Sequence, residues 1–417
     1  MFMLLARPLF AVGLAVAAVF CVSPAWASQN DTAAPSYEAL VSRLAVMPAV
    51  LEASALVDAA EARASQARAL PNPSIGMEAE NIYGSGPYRG TGSAETTISF
   101  TQPLELFGQR RARIDAARSE ADAVGLQSIQ RRWLAAGRLA QVYADAEAAQ
   151  RRFVLAEEVL ALTEEDTRAV ASLVAEGREA TLRGVQAQSE ADAARASVDE
   201  ARAIRDAAFA RLSAIAMIDS VERIDDSLLD RELGPHAQHI ETSLSERIAQ
   251  AELNAAGRQI VVEQRRARPD ISASLGQRRM RDTGEDTLTV GLSLSIPLFD
   301  RNRGGIRAAY ADQRAAEARL ASQQAESRAD RLAANATLIA SGSRTRAADS
   351  GVVAAEEAYR LARIGFDAGR ISQLELRSTR AALVSARSTA VDARVARVIA
   401  EIELAGLEGR APFGETR

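Results

Sequence analysis

Few residues of this 417-residue chain are of types that do chemistry: two histidines, His236 and His239, one cysteine, Cys21, and carboxylate runs such as Glu157-Glu158 and Glu164-Glu165-Asp166. The His-x-x-His spacing places two imidazoles on one helix face, as a zinc site needs. Two ligands with neither a cysteine nor a convincing carboxylate pair beside them do not complete a tetrahedral shell, and His239 reads as an ordinary helix-boundary residue. The carboxylate runs are what the wet face of a coiled coil contains. No nucleophile and base are paired, so no catalytic residue, metal ligand or cofactor is assigned. All 50 basic residues are arginine and the net charge is -5, which argues against a nucleic-acid partner.

With reactive side chains set aside, the elements carry the information. Residues 1–27 combine Arg7, an apolar stretch from Leu9 to Val22 and the small-x-small run Ala25-Trp26-Ala27, the pattern of a cleaved export signal. Fourteen apolar residues are fewer than the roughly 20 that span a bilayer as a helix. Cys21 follows Phe20, where a lipoprotein signal wants a small residue. The exported chain from Ser28 onward then has no cysteine and so no disulfide.

Proline placement gives the architecture, because an interior proline costs a helix about 3 kcal/mol. None of the 131 residues between Pro103 and Pro235 is proline, nor any of the 114 between Pro297 and Pro412, and both stretches are rich in Ala, Arg, Glu, Leu and Gln. Each reads as a long helical hairpin, over about 109–217 and 303–409, reversing at Gly177 and at Gly369. The longer arms make rods on the order of 100 Å. The returning arms are shorter, so helices within 52–70 and 243–267 are expected to complete the rods. Leu126, Ile129, Trp133, Ala136, Ala140 and Tyr143 step by three and four, the seam of a coiled coil.

Before each hairpin lie two alternating segments, at about 74–83 and 94–102 and again at about 270–280 and 287–296, which read as strands. Offset by about 192 to 196 residues, Pro73 falls on Pro269, Pro103 on Pro297, Gly177 on Gly369 and Leu182 on Leu374, as an internal duplication produces. The expected organisation is a leader at 1–27, a first repeat at 28–217, an irregular link at 218–242 lying beside the rods, and a second repeat at 243–417.

Leu288, Val290, Leu292, Leu294 and Ile296 form one face of the last strand, opposite Thr289, Gly291, Ser293 and Ser295. That alternation suits lipid outside and water inside, and also a half-buried soluble sheet. The export signal and the long rods favour the membrane. Four strands cannot close in lipid by themselves, so several chains must share one barrel. Phe107 and Phe299, just past strand ends, suit the membrane interface.

Asn72-Pro73, the run Glu78-Ala79-Glu80-Asn81 followed by Gly84-Ser85-Gly86, Ala94-Glu95-Thr96-Thr97 and Gln102-Pro103-Leu104-Glu105-Leu106-Phe107-Gly108-Gln109-Arg110 resemble the first half of a TolC-type outer membrane factor. Arg268-Pro269-Asp270 and Pro297-Leu298-Phe299-Asp300-Arg301-Asn302-Arg303-Gly304 resemble the second. The wording is similar to that of the outer membrane subunit of cobalt-zinc-cadmium efflux pumps. The resemblance implies a mainly α homotrimer: a 12-stranded β-barrel in the outer membrane and a coiled-coil α-barrel crossing the periplasm. It also implies that the channel is passive and is coupled by a periplasmic adaptor protein to an inner membrane transporter of the resistance-nodulation-division type. One departure is Met47-Pro48, where many members have Asn-Pro near the start of the first helix.

On this reading Gly177, Leu182, Gly369 and Leu374 form adaptor-docking tips, although a plain helix reversal needs the same glycines. Glu375 is the candidate pore gate, three copies making an acidic ring, unless it is merely solvated. Thr289, Ser293 and Ser295 are assigned to the barrel lumen, and Leu288, Val290, Leu292, Leu294 and Ile296 to lipid. Heavy-metal ions are the expected cargo, with drugs or other small toxic compounds as the alternative. A periplasmic coiled-coil adaptor, which normally has a single hairpin, and a polypeptide-secretion conduit are the other classes.

Overall fold

A computed structural model describes residues 33–231 and 242–413. The leader with Cys21, and the His236/His239 pair, lie outside the described residues. The elements run α1 (Tyr37–Ser42), α2 (Pro48–Gln66), β1 (Ser74–Glu80), β2 (Glu95–Leu104), α3 (Gln109–Ala175), α4 (Thr181–Ala216), α5 (Leu244–Arg266), β3 (Asp270–Met280), β4 (Asp286–Ser295), α6 (Arg303–Asp367) and α7 (Gln373–Glu408). The 67 residues of α3 and the 65 of α6 reach about 100 Å at 1.5 Å per residue. Among the described residues no helix is apolar enough to cross a membrane.

Helix ends follow local chemistry. Ser243 and Ser372 are N-caps whose hydroxyls accept from the amides of Glu246 and Glu375 at 3.1 and 3.2 Å. At α2, Pro48 takes the first helical position behind Met47, which offers no side-chain cap and is instead buried. Both long helices end in the same motif. Gly177 N–H donates to Val174 O at 3.0 Å and Arg178 N–H to Leu173 O at 2.9 Å; Gly369 and Arg370 repeat this on Phe366 and Gly365, both at 2.8 Å. These are Schellman caps, which need a left-handed residue, and φ is 69° at Gly177 and 68° at Gly369.

The helices form one layer. Toward the tips its order is α4, α3, α7, α6, and toward the strands α2, α3, α5, α6. At Gly409, just past α7, an added Cβ would lie 3.1 Å from Leu244 Cβ, so α5 starts where α7 stops and continues its rod along α6. The order leaves two edges: α2 and α4 on one side, α6 on the other.

The core sits at mid-length. Ala136, Leu139, Ala140, Val142, Tyr143 and Ala144 of α3 pack with Tyr37 and Leu40 of α1, Phe209 and Leu212 of α4, and Val391 and Val398 of α7. Ile224, Leu228 and Leu229 are buried there as well. The link expected beside the rods is therefore threaded into the main core, at least through residue 229. Ile129 also departs from expectation: it lies on the expected seam yet is exposed, on a side of α3 that faces neither α2 nor α5.

The sheet is antiparallel throughout, in the order β1-β2-β3-β4. Helices attach at one end of every strand, and the loops 81–94 and 281–285 lie at the other.

Candidate functional site

The register aligns the alternation of all four strands. Ile75, Phe100, Leu275 and Val290 form one cross-strand row, and Met77, Ile98, Gln277 and Leu288 form another. Side chains alternate along a strand, so these rows share a face. It is exposed, Val290 by 77% and Leu288 by 72%. The opposite face carries rows of small and polar residues: Gly76, Ser99, Gly276 and Thr289, then Ser74, Thr101, Ser274 and Gly291. At Gly276 an added Cβ would approach Ile98 O to 2.9 Å, so only glycine fits there. Thr289, Ser293 and Ser295 lie on this small-residue face, while Leu288, Val290, Leu292 and Leu294 lie on the apolar one. Ile296 follows β4 and is exposed, and Phe299 beyond it is fully exposed; Phe107 stands at the equivalent place after β2.

At the loop end of the small-residue face, Arg278 reaches from β3 across β2. Its guanidinium lies 3.2 Å from Glu80 and 3.0 Å from Glu95, and its Nε donates to Thr97 Oγ1 at 3.1 Å. Sequence reasoning missed this group. The strand alternation contained the signal, since residues 78, 80, 95, 97 and 278 share the parity of that face, but the register that brings them together is tertiary.

The helix ends opposite the strands present the two tips. Leu182 and Leu374, five residues past the tip glycines and second in α4 and α7, have 66% and 70% of their surfaces exposed. Nothing lies within 4 Å of a Cβ built on Gly177 or Gly369. Glu375 is exposed on the first turn of α7, its amide capped by Ser372 and its side chain free of ion pairs among the described residues.

Between tips and core the two hairpins meet along α3 and α7, and this seam is ionic. Arg380 contacts Asp166 of α3 and Glu190 of α4; Arg387 lies 2.6 Å from Glu158 of α3 and 2.9 Å from Glu356 of α6; Arg394 lies 3.2 Å from Asp230 and 2.8 Å from Asp349. The three arginines are seven residues apart, so one face of α7 carries them all. Their heptad spacing was visible in the chain, but their partners were not. Inside each hairpin small and apolar residues are buried as well, Ala187, Ala191 and Val198 under α3 and Leu383 and Ala390 under α6, and ion pairs such as Arg195–Glu164 and Arg387–Glu356 flank them.

At the core, buried Glu147 accepts from the amides of Leu228 and Leu229 at 2.9 and 3.0 Å, from Ser227 Oγ at 2.7 Å and from Arg151 at 2.6 Å. Asp230 continues the network to Arg151 and Arg394. Burial pushes the Asp230 carboxyl up, but the Arg151 hydrogen bonds, Ser227 and Arg394 hold it below the ordinary carboxylate range.

A four-stranded antiparallel sheet with one exposed apolar face, set on two helical hairpins about 100 Å long, defines a mainly helical protein with a small sheet at one end. Its family is shown directly: residues 39–216 and 241–410 match the outer membrane efflux protein family, and the chain belongs to it. Among its relatives, the nickel-cobalt-cadmium resistance protein NccC of Alcaligenes xylosoxydans xylosoxydans is 40% identical over 302 residues, 72% of this chain and 69% of that protein. The nickel and cobalt resistance protein CnrC of Cupriavidus metallidurans is 40% identical over 326 residues, 78% of this chain and 77% of that protein. The crystal structure of the outer membrane protein VceC of Vibrio cholerae superposes with a TM-score of 0.73 at 19% identity, covering 90% of this chain and 96% of that one.

Proposed function

We propose that this protein is the outer membrane channel of a tripartite efflux pump and that it passively conducts divalent heavy-metal cations across the periplasm and out of the cell. The observation that carries the channel is the register: all four strands present one mainly apolar face and one face of Gly, Ser and Thr with charged residues at its loop end, with an unpaired edge at β1 and another at β4. Open edges are not tolerated in lipid. Three copies, each pairing its β4 with the next chain's β1, close a 12-stranded barrel with Leu288, Val290, Leu292, Leu294 and Ile296 toward lipid and Thr289, Ser293 and Ser295 toward the lumen. The helical layer closes in the same sense. Exposed Leu332, Ile339 and Val353 on α6 meet the neighbour's α2 and α4 edge, which exposes Leu51, Leu56, Val185 and Ile204.

The tips at Gly177, Leu182, Gly369 and Leu374 are the docking points for a periplasmic adaptor, which links the channel to an inner membrane transporter of the resistance-nodulation-division type. Glu375, exposed and without an ion-pair partner among the described residues, contributes an acidic ring to the gate. Residues 1–27 direct export and are removed. Metal cargo is favoured by the resistance named for the two relatives at 40% identity, nickel, cobalt and cadmium for one and nickel and cobalt for the other. Organic compounds are the second reading.

Growth of a deletion strain, with and without complementation, on Ni, Co, Cd, Zn and Cu salts and on dyes, detergents and antibiotics decides between them. Selective metal sensitivity is expected. Sensitivity to organic compounds alone would keep the channel and overturn the cargo.

A further inference from the structure

The Arg278 group lies at the loop end of the small-residue face, which is the outer mouth of the barrel if that face lines the lumen. The inference below rests on that channel reading. The group lies among rows of Gly, Ser and Thr, and Arg278 is the one basic side chain on that face among the described strand residues. Its guanidinium is laid flat along the wall: Glu80 and Glu95 bind its two ends, Thr97 accepts from Nε, and Asn81 Nδ2 holds the other Glu95 oxygen at 3.0 Å. Glu78 shares the face, directly opposite Thr97, and is exposed. Three carboxylates against one guanidinium leave two uncompensated negative charges per chain.

A pore reads the charges that line it, and a cation held against the wall by carboxylates repels passing cations far less than one free in the lumen. Arg279 and Asp286, by contrast, pair across β3 and β4 on the opposite face, where the lumen does not feel them directly.

We propose that Arg278, clamped by Glu80 and Glu95, is a charge-selecting element of the outer mouth. The clamp masks the only lumen-facing cation of the strands, and Glu78 supplies the excess negative charge that favours exit of divalent cations over anions. Glu80 and Glu95 act by positioning Arg278, and Glu78 acts on the permeant ion.

The test is the reversal potential of the full-length protein in planar bilayers under a KCl gradient, repeated with MgCl2. The wild type is expected to prefer cations. Glu78→Gln, which breaks no ion pair, should lower the cation-to-anion permeability ratio about twofold. The double variant Glu80→Gln/Glu95→Gln should lower it further by releasing Arg278 into the lumen, and Arg278→Gln should raise it. Arg279→Gln should leave it unchanged. Reversal potentials identical to wild type in conducting Glu78→Gln and Arg278→Gln channels would overturn the proposal while leaving the channel intact. A wild type that never conducts would overturn the channel reading itself.

Discussion

Glu147 shows what a single buried carboxylate does for this fold. Its two oxygens satisfy two amides, a hydroxyl and a guanidinium, all but the last on a segment about 80 residues further along. Replacing it by alanine strands the amides of Leu228 and Leu229 in the core, and Glu147→Ala is expected to cost about 3 kcal/mol, read as a lower thermal midpoint by circular dichroism. Asp230 makes the same network sensitive to acid. Its folded-state carboxyl is held below its unfolded value, so its stabilisation is complete above about pH 4 and is lost as pH falls through the depressed value. Glu38, held down by Arg231, adds to the loss with the same sign. Thermal midpoints measured from pH 6 to pH 2 should fall less steeply in Asp230→Asn than in the wild type. Neither residue was legible in advance: Glu147 looks like any polar position of a long helix, and its partners are fixed only by tertiary packing.

Helices and strands were far more legible than these side chains, because the forces that set them are local. The proline-free stretches and the tip glycines gave α3, α4, α6 and α7 to within a few residues, and period-two alternation gave the four strands. The link is irregular as expected over its described residues, but its burial was not legible: Ile224, Leu228 and Leu229 follow neither period, and their burial is supplied by α3 and α7. The left-handed tip glycines predict a local effect. Gly177→Ala and Gly369→Ala meet no steric obstacle and bear only the backbone penalty of about 1 kcal/mol, so hydrogen exchange at the tip amides should quicken about fivefold while the global thermal midpoint holds. Between the tips and the core the hairpins are joined by ion pairs such as Arg380–Asp166 and Arg387–Glu158, whereas each hairpin also buries a row of small and apolar residues. Exposed ion pairs are worth about 0–1 kcal/mol each and are screened by salt, so each hairpin is the firmer unit and the joint between hairpins the softer one.

For the whole molecule, the proposed assembly rests on edges that one chain leaves open: α6 exposes Leu332, Ile339 and Val353, and β1 and β4 lack outer partners among the described residues. Ile339→Arg should abolish the proposed trimer in cross-linking and gel mobility while far-ultraviolet circular dichroism shows the helices retained, since Ile339 is 64% exposed within one chain. A variant that stays trimeric would place the contact between copies elsewhere. The mid-length core has a further consequence. Tyr37 donates its hydroxyl to Pro412 O at 3.1 Å and stacks edge-on against Phe413, so the first helix and the last described residues meet at one point on α3. These two segments lie 375 residues apart. Closing the waist of the molecule therefore bears the loop-closure entropy of nearly the whole described chain, whereas each hairpin closes on contacts local to itself.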